Sequence, residues 1–482
     1  MLKLFNSLTK NVEEFQAIDP ENVGVYTCGP TVYSFAHIGN FRTYTTSDIL
    51  IRTLKYNGQR VKYIMNITDV GHLTGDNLGD ADTGEDRMES SAKKEGKTAW
   101  EVAGFYTDAF IEDYEKLGLS KPERFAKATD HIKEQINLIV TLEEKGYTYR
   151  ISDGIYFDTS KFPEYGKLSN LDEIKEGARV EVNPEKKNPR DFALWKFSPD
   201  SEKRPASAEG FGEARQRRQM EWKSPWGTGF PGWHIECSAM AIRYLGETFD
   251  IHVGGIDLKS THHPNEIAQS EAATGKPFVN YWVHSAFMLV QGQKMSKSLG
   301  NVYRVYDLEK QGYDPVALRY LYMQTHYRQE MNFTFPALDA AQNALMKLRE
   351  IVGVLNKEGS EGSGEEEEFE KRFGEALAED LNTPQAIAVM WELVKSDVSE
   401  AGKLKTLLKF DGVLGFGLSD VRATSGRIQL EDLSENIQNL IREREMYRKE
   451  KRYVQADKLR QKLKQIGFEI LDNEDGVAIR KI

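Results

Sequence analysis

The sequence predicts an α/β protein in which one parallel sheet is assembled from two separated halves and followed by a helical region. Three observations carry that expectation: a strand–helix–strand pattern over residues 23–68, its return over 231–255 after a long interruption, and helical periodicity beyond about residue 313. In the first half, "VGVY" (23–26) reads as a short buried strand, followed by the loop "TCGPTVYSFA". A helix is expected over 38–55, where Ile49, Leu50 and Leu54 form an apolar stripe. "RVKYIMNIT" (60–68) is the next strand, with Val61, Tyr63 and Met65 on one face. A crossover helix between two strands makes parallel neighbours, and open parallel sheets bind ligands beyond the carboxyl ends of their strands.

Past about residue 116 the pattern changes to short strands such as "DGIYFD" (153–158) and a stretch rich in Pro, Gly and charge over 186–226. "PGWHIECSAMAIRYLG" (231–246) then restores a helix and "FDIHVGG" (249–255) a strand, so the middle region reads as an insertion within one sheet. The later helical part is broken by "NKEGSEGSGEEEEFE" (356–370) and "SDVRATSGR" (419–427), both solvated loops by composition. One final helix is expected over 433–465. There Arg442, Arg444, Arg448, Lys449, Lys451, Arg452, Lys458, Arg460, Lys462 and Lys464 outnumber the acids. No internal repeat is present.

A chain of 482 residues exceeds a single ordinary core, and 39% hydrophobic with 29% charged residues is the balance of a soluble globular protein. No apolar run of about 18 residues occurs and the first residues do not read as a signal peptide, so a cytoplasmic protein without membrane contact is expected. A net charge of −11 argues against an overall electrostatic grip on nucleic acid; any polyanion site must be regional. Only two cysteines occur, Cys28 and Cys237, and a reducing compartment disfavours a disulfide between them.

Those two thiols stand with His262 and Glu266 of "THHPNE" as four residue types suited to Zn²⁺, in three separate segments. His262 and Glu266 are four apart and share one side of a helical turn, which favours His262 over its neighbour His263, although spacing alone leaves that choice open. A pair of inert buried thiols is the plainer alternative.

A second constellation suits phosphate. "HIGN" (37–40) begins where the first loop turns into a helix, and free backbone N–H groups there attract anions. His37 and Asn40 can donate to phosphate oxygens, and Gly39 permits close approach of a nucleotide; a capping role is the alternative for His37. Downstream, "QGQKMSKSLGN" (291–301) places Lys294 and Lys297 in a polar loop after the apolar strand "AFMLV", suited to closing over a triphosphate.

With "HIGN" at 37–40 and "KMSKS" at 294–298 on the page, the chain resembles the class I aminoacyl-tRNA synthetases. Within them it is most similar to the cysteinyl-tRNA synthetase family, matching "YTCGPTVY", "AHIGNFRTY", "NITDV", "YGKLS", "GWHIECSAM", "GGIDL" and "HHPNEIAQS" in order, and later "DLNTPQA" and "ADKLRQKLKQIGFEILDNEDG". It departs from that pattern over 71–97 and 201–223, whose roles the resemblance leaves open. The cysteine ligases of mycothiol synthesis share the zinc site but lack a region equivalent to residues 340–482.

The resemblance implies an ATP-dependent ligase joining L-cysteine to tRNA(Cys), expected as a monomer. It implies a Rossmann-type catalytic domain over 1–116 and 226–300, an inserted connective region over 117–225, a stem-contact region over 301–337, a helical tRNA-binding domain over 338–418 and a small anticodon-recognition domain over 428–482. It implies one Zn²⁺ on Cys28, Cys237, His262 and Glu266, settling the histidine choice, and Mg²⁺ with ATP on a site containing His37, Gly39, Asn40, Lys294 and Lys297. Asp257 of "GGIDL" is the expected partner of the ribose, and Thr68 and Trp233 the expected walls of the cysteine and adenosine pocket; core packing is the alternative for each.

Overall fold

The structure, a computed structural model, describes residues 1–71, 73, 85–169, 183–198, 218–296, 299–356, 366–421, 430, 433, 435–473 and 476–481. Two compact units divide it: Met1–Gln342, Lys371–Val389 and Gly412–Phe416 form the first, and Asn343–Glu370, Met390–Asp411 and Gly417–Ile482 the second.

The first unit opens with a hairpin, β1 (Lys3–Asn6) and β2 (Asn11–Glu14). Then come β3 (Val23–Thr27), α1 (Ile38–Tyr56), β4 (Val61–Ile67), α2 (Arg87–Glu95), α3 (Ala99–Lys116), β5 (Arg124–Lys127) and α4 (Ile132–Glu144). An interruption follows, made of β6 (Thr148–Ile151), β7 (Gly154–Phe157), β8 (Phe192–Phe197), β9 (Trp222–Ser224) and β10 (Gly227–Pro231). The α/β pattern resumes with α5 (Trp233–Leu245), β11 (Phe249–Gly255), α6 (His262–Thr274) and β12 (Val279–Ser285). Last in this part are β13 (Met288–Val290), β14 (Gln293–Lys294), α7 (Val305–Glu309), α8 (Pro315–Met323) and β15 (Met331–Phe333).

The central sheet runs β12-β11-β3-β4-β5 with every neighbouring pair parallel. Parallel sheets are covered on both faces, and β3 is accordingly buried at all its residues. From β3 the chain winds one way through β4 and β5, and after the interruption fills the other side with β11 and β12. The crevice between β3 and β11 is therefore the topological switch point, where ligands bind in such folds. There the Cys28 N–H donates to the Val253 carbonyl at 3.0 Å. The interruption forms its own sheet, β6-β7-β8-β10-β9, whose Phe157, Phe192, Leu194 and Trp195 share a core with Ile139 and Leu142 of α4.

Helix α1 is pinned in two places. Asp48, fully buried, takes Arg319 Nη2 at 2.6 Å, Arg52 Nε at 2.8 Å and the Ser120 N–H at 2.7 Å. Burial opposes ionisation of Asp48, but Arg319 and Arg52 outweigh it and hold the carboxyl below its ordinary range. One turn into the helix, buried Arg42 donates to four carbonyls: Ala286 (3.0 Å), Phe287 (2.6 Å), His326 (3.3 Å) and Gln329 (2.5 Å). These flank a small sheet, β14-β13-β15, that leads into the "KMSKS" stretch.

The two departures from the family pattern meet at their described ends. Asp86 caps α2 through one oxygen and pairs with Arg218 through the other. The Gln219 N–H donates to Glu89 at 2.8 Å, and Trp222 meets Trp100 edge-on at 6.2 Å. Residues 72, 74–84 and 199–217 lie outside the described ones.

Four further helices follow: α9 (Phe335–Leu355), α10 (Glu367–Ala378), α11 (Thr383–Lys395) and α12 (Glu400–Leu414). In the second unit Leu345, Leu348 and Val352 line one helical face and are fully buried, as are Leu393, Leu407 and Phe410. The single C-terminal helix expected over 433–465 is in fact two, α13 (Glu435–Lys449) and α14 (Tyr453–Gln465), followed by the hairpin of β16 (Phe468–Asn473) and β17 (Gly476–Lys481). The break falls in the charge run at 449–452, where Lys451 takes a positive φ of 59°. Reversing there lets Ile441 and Leu463 bury against Ile470 and Ile479, which one straight rod of about 50 Å cannot do. Arg444, one of the basic residues counted in that stretch, is buried and pairs with Glu445.

Candidate active site and metal centre

The switch point gathers donors from both halves of the sheet. Cys28 follows β3, Cys237 lies on α5, and His262 and Glu266 lie on the first turns of α6; all four are buried. Their ligand atoms lie within 4.8 Å of one another. Cys28 Sγ is 4.0 Å from Cys237 Sγ and 3.8 Å from Glu266 Oε1, and His262 Nε2 is 3.0 Å from that oxygen. The thiols are free, with no disulfide between them. A tetrahedral zinc with Zn–S of about 2.3 Å and Zn–N or Zn–O of about 2.0–2.1 Å has edges of roughly 3.3–3.8 Å. The donor set and its spacing fit such an ion.

The charge balance fits too. Burial and Cys237 push the Cys28 thiol up, whereas Cys237 is drawn down against its own burial by Cys28 and His262. Burial would raise Glu266, but His252 and His262 hold it ionised, at about 2. Burial would likewise neutralise His262, yet Glu266 and Cys237 lift it to about 10. The pocket thus holds acidic donors whose negative charge is met, in the protein alone, by imidazole.

Sequence reasoning missed three of the histidines behind this set, His234, His252 and His284, and weighed the fourth, His263, only as an alternative to His262. His252 on β11 gives Nε2 to Glu266 Oε2 at 3.0 Å, and His234 on α5 shares an Nδ1–Nδ1 contact of 2.9 Å with His262. His263 Nε2 is 3.5 Å from Cys28 Sγ, while its Nδ1 meets His284 Nε2 of β12 at 2.8 Å, and His284 Nδ1 meets Ser7 Oγ at 2.8 Å. A second group of donors, Cys28, His252, His263 and Glu266, therefore overlaps the first. The available signal was histidines placed inside otherwise apolar strands, "FDIHV" and "YWVHS", where an imidazole needs a partner.

The "HIGN" residues sit at the amino end of α1. His37 is the N-cap: its Nδ1 accepts from the N–H groups of Gly39 (3.1 Å) and Asn40 (3.3 Å), and Asn40 Oδ1 accepts from the His37 N–H at 3.0 Å. Capping was the alternative reading of His37, and it also fixes the tautomer: with Nδ1 accepting, the ring proton is on Nε2, which makes that atom a donor. Gly39 faces the "KMSKS" stretch directly, since a β-carbon on it would fall 2.1 Å from Met295 Cε. Lys294 is exposed at the end of β14, with Nζ 5.4 Å from the Phe287 ring centre. Asn301 braces the loop, accepting from the Ser296 N–H at 2.8 Å and donating to the Lys294 carbonyl at 3.1 Å. Lys297 lies outside the described residues.

The three remaining predicted residues differ in standing. Asp257 follows β11 and is exposed. Trp233 opens α5, half-buried, with its ring centre 4.3 Å from that of His262. Thr68 is buried and donates to Glu236 Oε2 at 3.0 Å, so it braces the neighbour of Cys237.

A switch-point site pairing a metal-suited cluster with two phosphate-suited motifs is the arrangement of a class I adenylate-forming enzyme, and comparison with known proteins agrees. Residues 14–343 match the family model for the "tRNA synthetases class I (C) catalytic domain", residues 372–419 the "DALR domain", and residues 430–480 the "Cysteinyl-tRNA ligase anticodon binding domain". Cysteine–tRNA ligase 1 of Burkholderia lata is 45% identical over 479 residues, covering 98% of this chain and 96% of the relative. The cysteine–tRNA ligase of Treponema denticola is 40% identical over 505 residues, covering 98% of each. Among solved structures, Mycobacterium tuberculosis methionyl-tRNA synthetase with methionyl-adenylate superposes with a TM-score of 0.57 at 14% identity, covering 83% of this chain and 93% of that one, a likeness of fold. The chain belongs to the cysteine–tRNA ligase family.

Proposed function

We propose that the chain activates L-cysteine with ATP and transfers it to tRNA(Cys), with Cys28, Cys237, His262 and Glu266 holding one Zn²⁺. The observation that carries this reading is the buried quartet of ligand atoms within 4.8 Å at the same strand ends that open onto the "HIGN" helix. When bound, the ion supplies a soft Lewis acid that favours a thiolate over the hard, far less acidic hydroxyl of serine. Selectivity of about 10⁴-fold needs only roughly 5.5 kcal/mol.

The chain's own residues would then handle the phosphates. His37 donates from Nε2 toward the α-phosphate region, and the α1 amino end adds its dipole. Lys294 and Lys297 stabilise charge as pyrophosphate departs, with Mg²⁺ travelling on the nucleotide, and Asn40 holds the motif in shape. Trp233 packs on His262 and limits the ring's motion, and Asp257 faces the ribose. The interruption at 117–225 serves as the connective region and residues 301–337 as the stem contact. Residues 338–418 contribute tRNA contacts, and 428–482 read the anticodon, supported by the basic side chains of α13 and α14 that remain exposed. The chain acts as a monomer. No helix among the described residues is long and apolar enough to cross a membrane.

The deciding experiment is cysteine-dependent ATP–pyrophosphate exchange with serine as control, alongside charging of tRNA(Cys) and metal analysis. Exchange indifferent to cysteine, or a Cys237→Ser variant with intact zinc and undiminished selectivity over serine, refutes the metal reading. Charging of an amino sugar in place of tRNA would move the chain to the mycothiol ligases.

A further inference from the structure

The stretch "DLNTPQA" (380–386) lies outside the metal quartet and the phosphate motifs, yet its first two residues are held in a backbone conformation that side chains avoid. Asp380 and Leu381, in the turn between α10 and α11, take φ values of 55° and 56°. Left-handed backbone at two successive non-glycine residues is rare, because the β-carbon crowds the next carbonyl, and it persists only where the surroundings hold it. Both residues are buried. Ending α10 does not require the Asp380 carboxylate: the Leu381 N–H donates to the Leu377 carbonyl at 3.1 Å and the Asn382 N–H to that of Ala376 at 3.2 Å, so backbone alone closes the helix.

That carboxylate is directed to other elements. Its Oδ1 accepts from the Phe5 N–H of β1 at 2.8 Å and from the Tyr327 hydroxyl at 2.6 Å, and its Oδ2 takes Arg328 Nε at 2.6 Å. The Asp380 carbonyl meets His326 Nε2 at 2.9 Å. One residue therefore holds the 326–328 segment from one side. From the other side Arg42 of α1 donates to the carbonyls of His326 and Gln329, and through its second terminal nitrogen to those of Ala286 and Phe287. The Ala286 N–H also donates to the Tyr327 carbonyl at 2.8 Å. Phe287 immediately precedes β13, which pairs with β14 and so carries Lys294. Direct bonds thus run from Asp380 through the 326–329 loop to both phosphate-handling segments.

We propose that Asp380 is a positioning residue for adenylate formation: by fixing the 326–329 loop against Arg42, it sets the separation between the "HIGN" helix and the hairpin that carries Lys294. It rests on the synthetase reading above. Two segments that must meet the phosphates of one nucleotide need their spacing held to within about 0.5 Å. Arg42 alone does not supply that, because all four of its acceptors are carbonyls between or beside short strands, and two of them move with the loop. Anchoring the loop to β1 and to the α10–α11 turn removes that freedom. The left-handed backbone at 380 is what aims the carboxylate away from its own helices and at the loop.

The test compares full-length Asp380→Gly, which accepts the left-handed backbone but removes the side-chain bonds, with Asp380→Asn, which accepts the backbone and keeps one acceptor oxygen. In cysteine-dependent ATP–pyrophosphate exchange, kcat falls about tenfold for Asp380→Gly and about threefold for Asp380→Asn. The KM for cysteine stays within about twofold and zinc content is unchanged, because the metal quartet lies off this path. On a Lys294→Ala background Asp380→Gly lowers kcat by less than about threefold further, since placing an absent amine no longer matters. Tyr327→Phe removes one donor to Asp380 and leaves the turn intact; it lowers kcat about twofold to threefold, is likewise non-additive with Asp380→Asn, and decides the matter if Asp380→Gly does not fold. Exchange by the unaltered protein tests the synthetase reading separately. A lowered melting temperature with unchanged kcat in Asp380→Asn and Tyr327→Phe, a kcat loss that multiplies in full with that of Lys294→Ala, or a rise in the KM for cysteine overturns the positioning role.

Discussion

Replacing Asp48 with Asn removes one negative charge from the middle of the helix that presents "HIGN", and the consequence can be worked from the contacts. Asp48 is fully buried and answers two guanidinium groups; Arg319, also fully buried, has its nearest oxygen other than Asp48 at the Leu414 carbonyl, 2.6 Å from Nε. Breaking such a pair from one side costs about 3–5 kcal/mol, because the remaining charge stays buried without its counter-ion. The Leu414 carbonyl and the Gly118 carbonyl, at 2.8 Å from Arg52 Nη2, retain part of the solvation, so a loss near about 3 kcal/mol is expected. Urea unfolding followed by tryptophan fluorescence measures it as a fall in midpoint at constant slope. The sign with pH is fixed. The folded carboxyl titrates below its unfolded value of about 3.9, so its contribution is complete above that value and fades as pH falls through the folded one. The Asn variant should therefore approach the unaltered protein in strong acid. Joint Asp48→Leu and Arg319→Met substitution should recover most of the loss, since a buried pair can be exchanged for apolar packing. A single-variant loss under about 1 kcal/mol, or a double variant less stable than the single, refutes this account.

Gly29 should not accept a side chain: a β-carbon there would lie 1.8 Å from the Asn66 carbonyl oxygen, so Gly29→Ala displaces Cys28 beside it, costing about 1–3 kcal/mol in urea unfolding and weakening zinc retention against a chelator. Asp113 is held up at about 6, chiefly by burial, so its ionisation removes stability as pH rises from the unfolded value of about 3.9, and the loss is complete above about 6. Asp113→Asn should add about 1–2 kcal/mol at pH 7 after solvent screening, the gain growing from about pH 4 to 6 and vanishing below. Lys294→Ala should slow cysteine-dependent exchange by about 10²–10³-fold in kcat with little change in stability, because the side chain is exposed and acts on developing charge.

The fold was legible wherever periodicity reports burial on two faces. The strands at 23–27, 61–67 and 249–255 and the helix from residue 38 stand within a residue or two of their expected bounds, since an apolar run between turn signals has few other uses in a parallel sheet. The C-terminal helix was misjudged because the reversal at Lys451 carries no Gly or Pro; burial of Ile441 and Leu463 dictates it, and that packing is not visible in local sequence. In the site, scarce thiols and an i, i+4 pair on one helical side suggested Cys28, Cys237, His262 and Glu266, and the family resemblance, not spacing, decided for His262 over His263. The supporting roles of His234, His252 and His284 were not read from the sequence, because each depends on a neighbour from another strand or helix, although His252 and His284 stood out as imidazoles within apolar strands. Thr68 shows the same limit from the other side: its position after β4 is readable, but its bond to Glu236 is set by how α5 packs.

The placement of β3 between β4 and β11 also bears on how the chain is made. Gly24 and Asp250, joined at 2.8 Å across that seam, are 226 residues apart. Synthesis at about 5–20 residues per second delivers the partner strand roughly 10–50 s after the first one leaves the ribosome. For that interval the middle strand of the finished enzyme is an edge, apolar and open to wrong pairing. The intervening segment, with its own antiparallel sheet and core, is able to fold while the first strands wait. Biogenesis, more than final stability, is where a sheet divided by an insertion is most exposed to chaperone supply and translation speed.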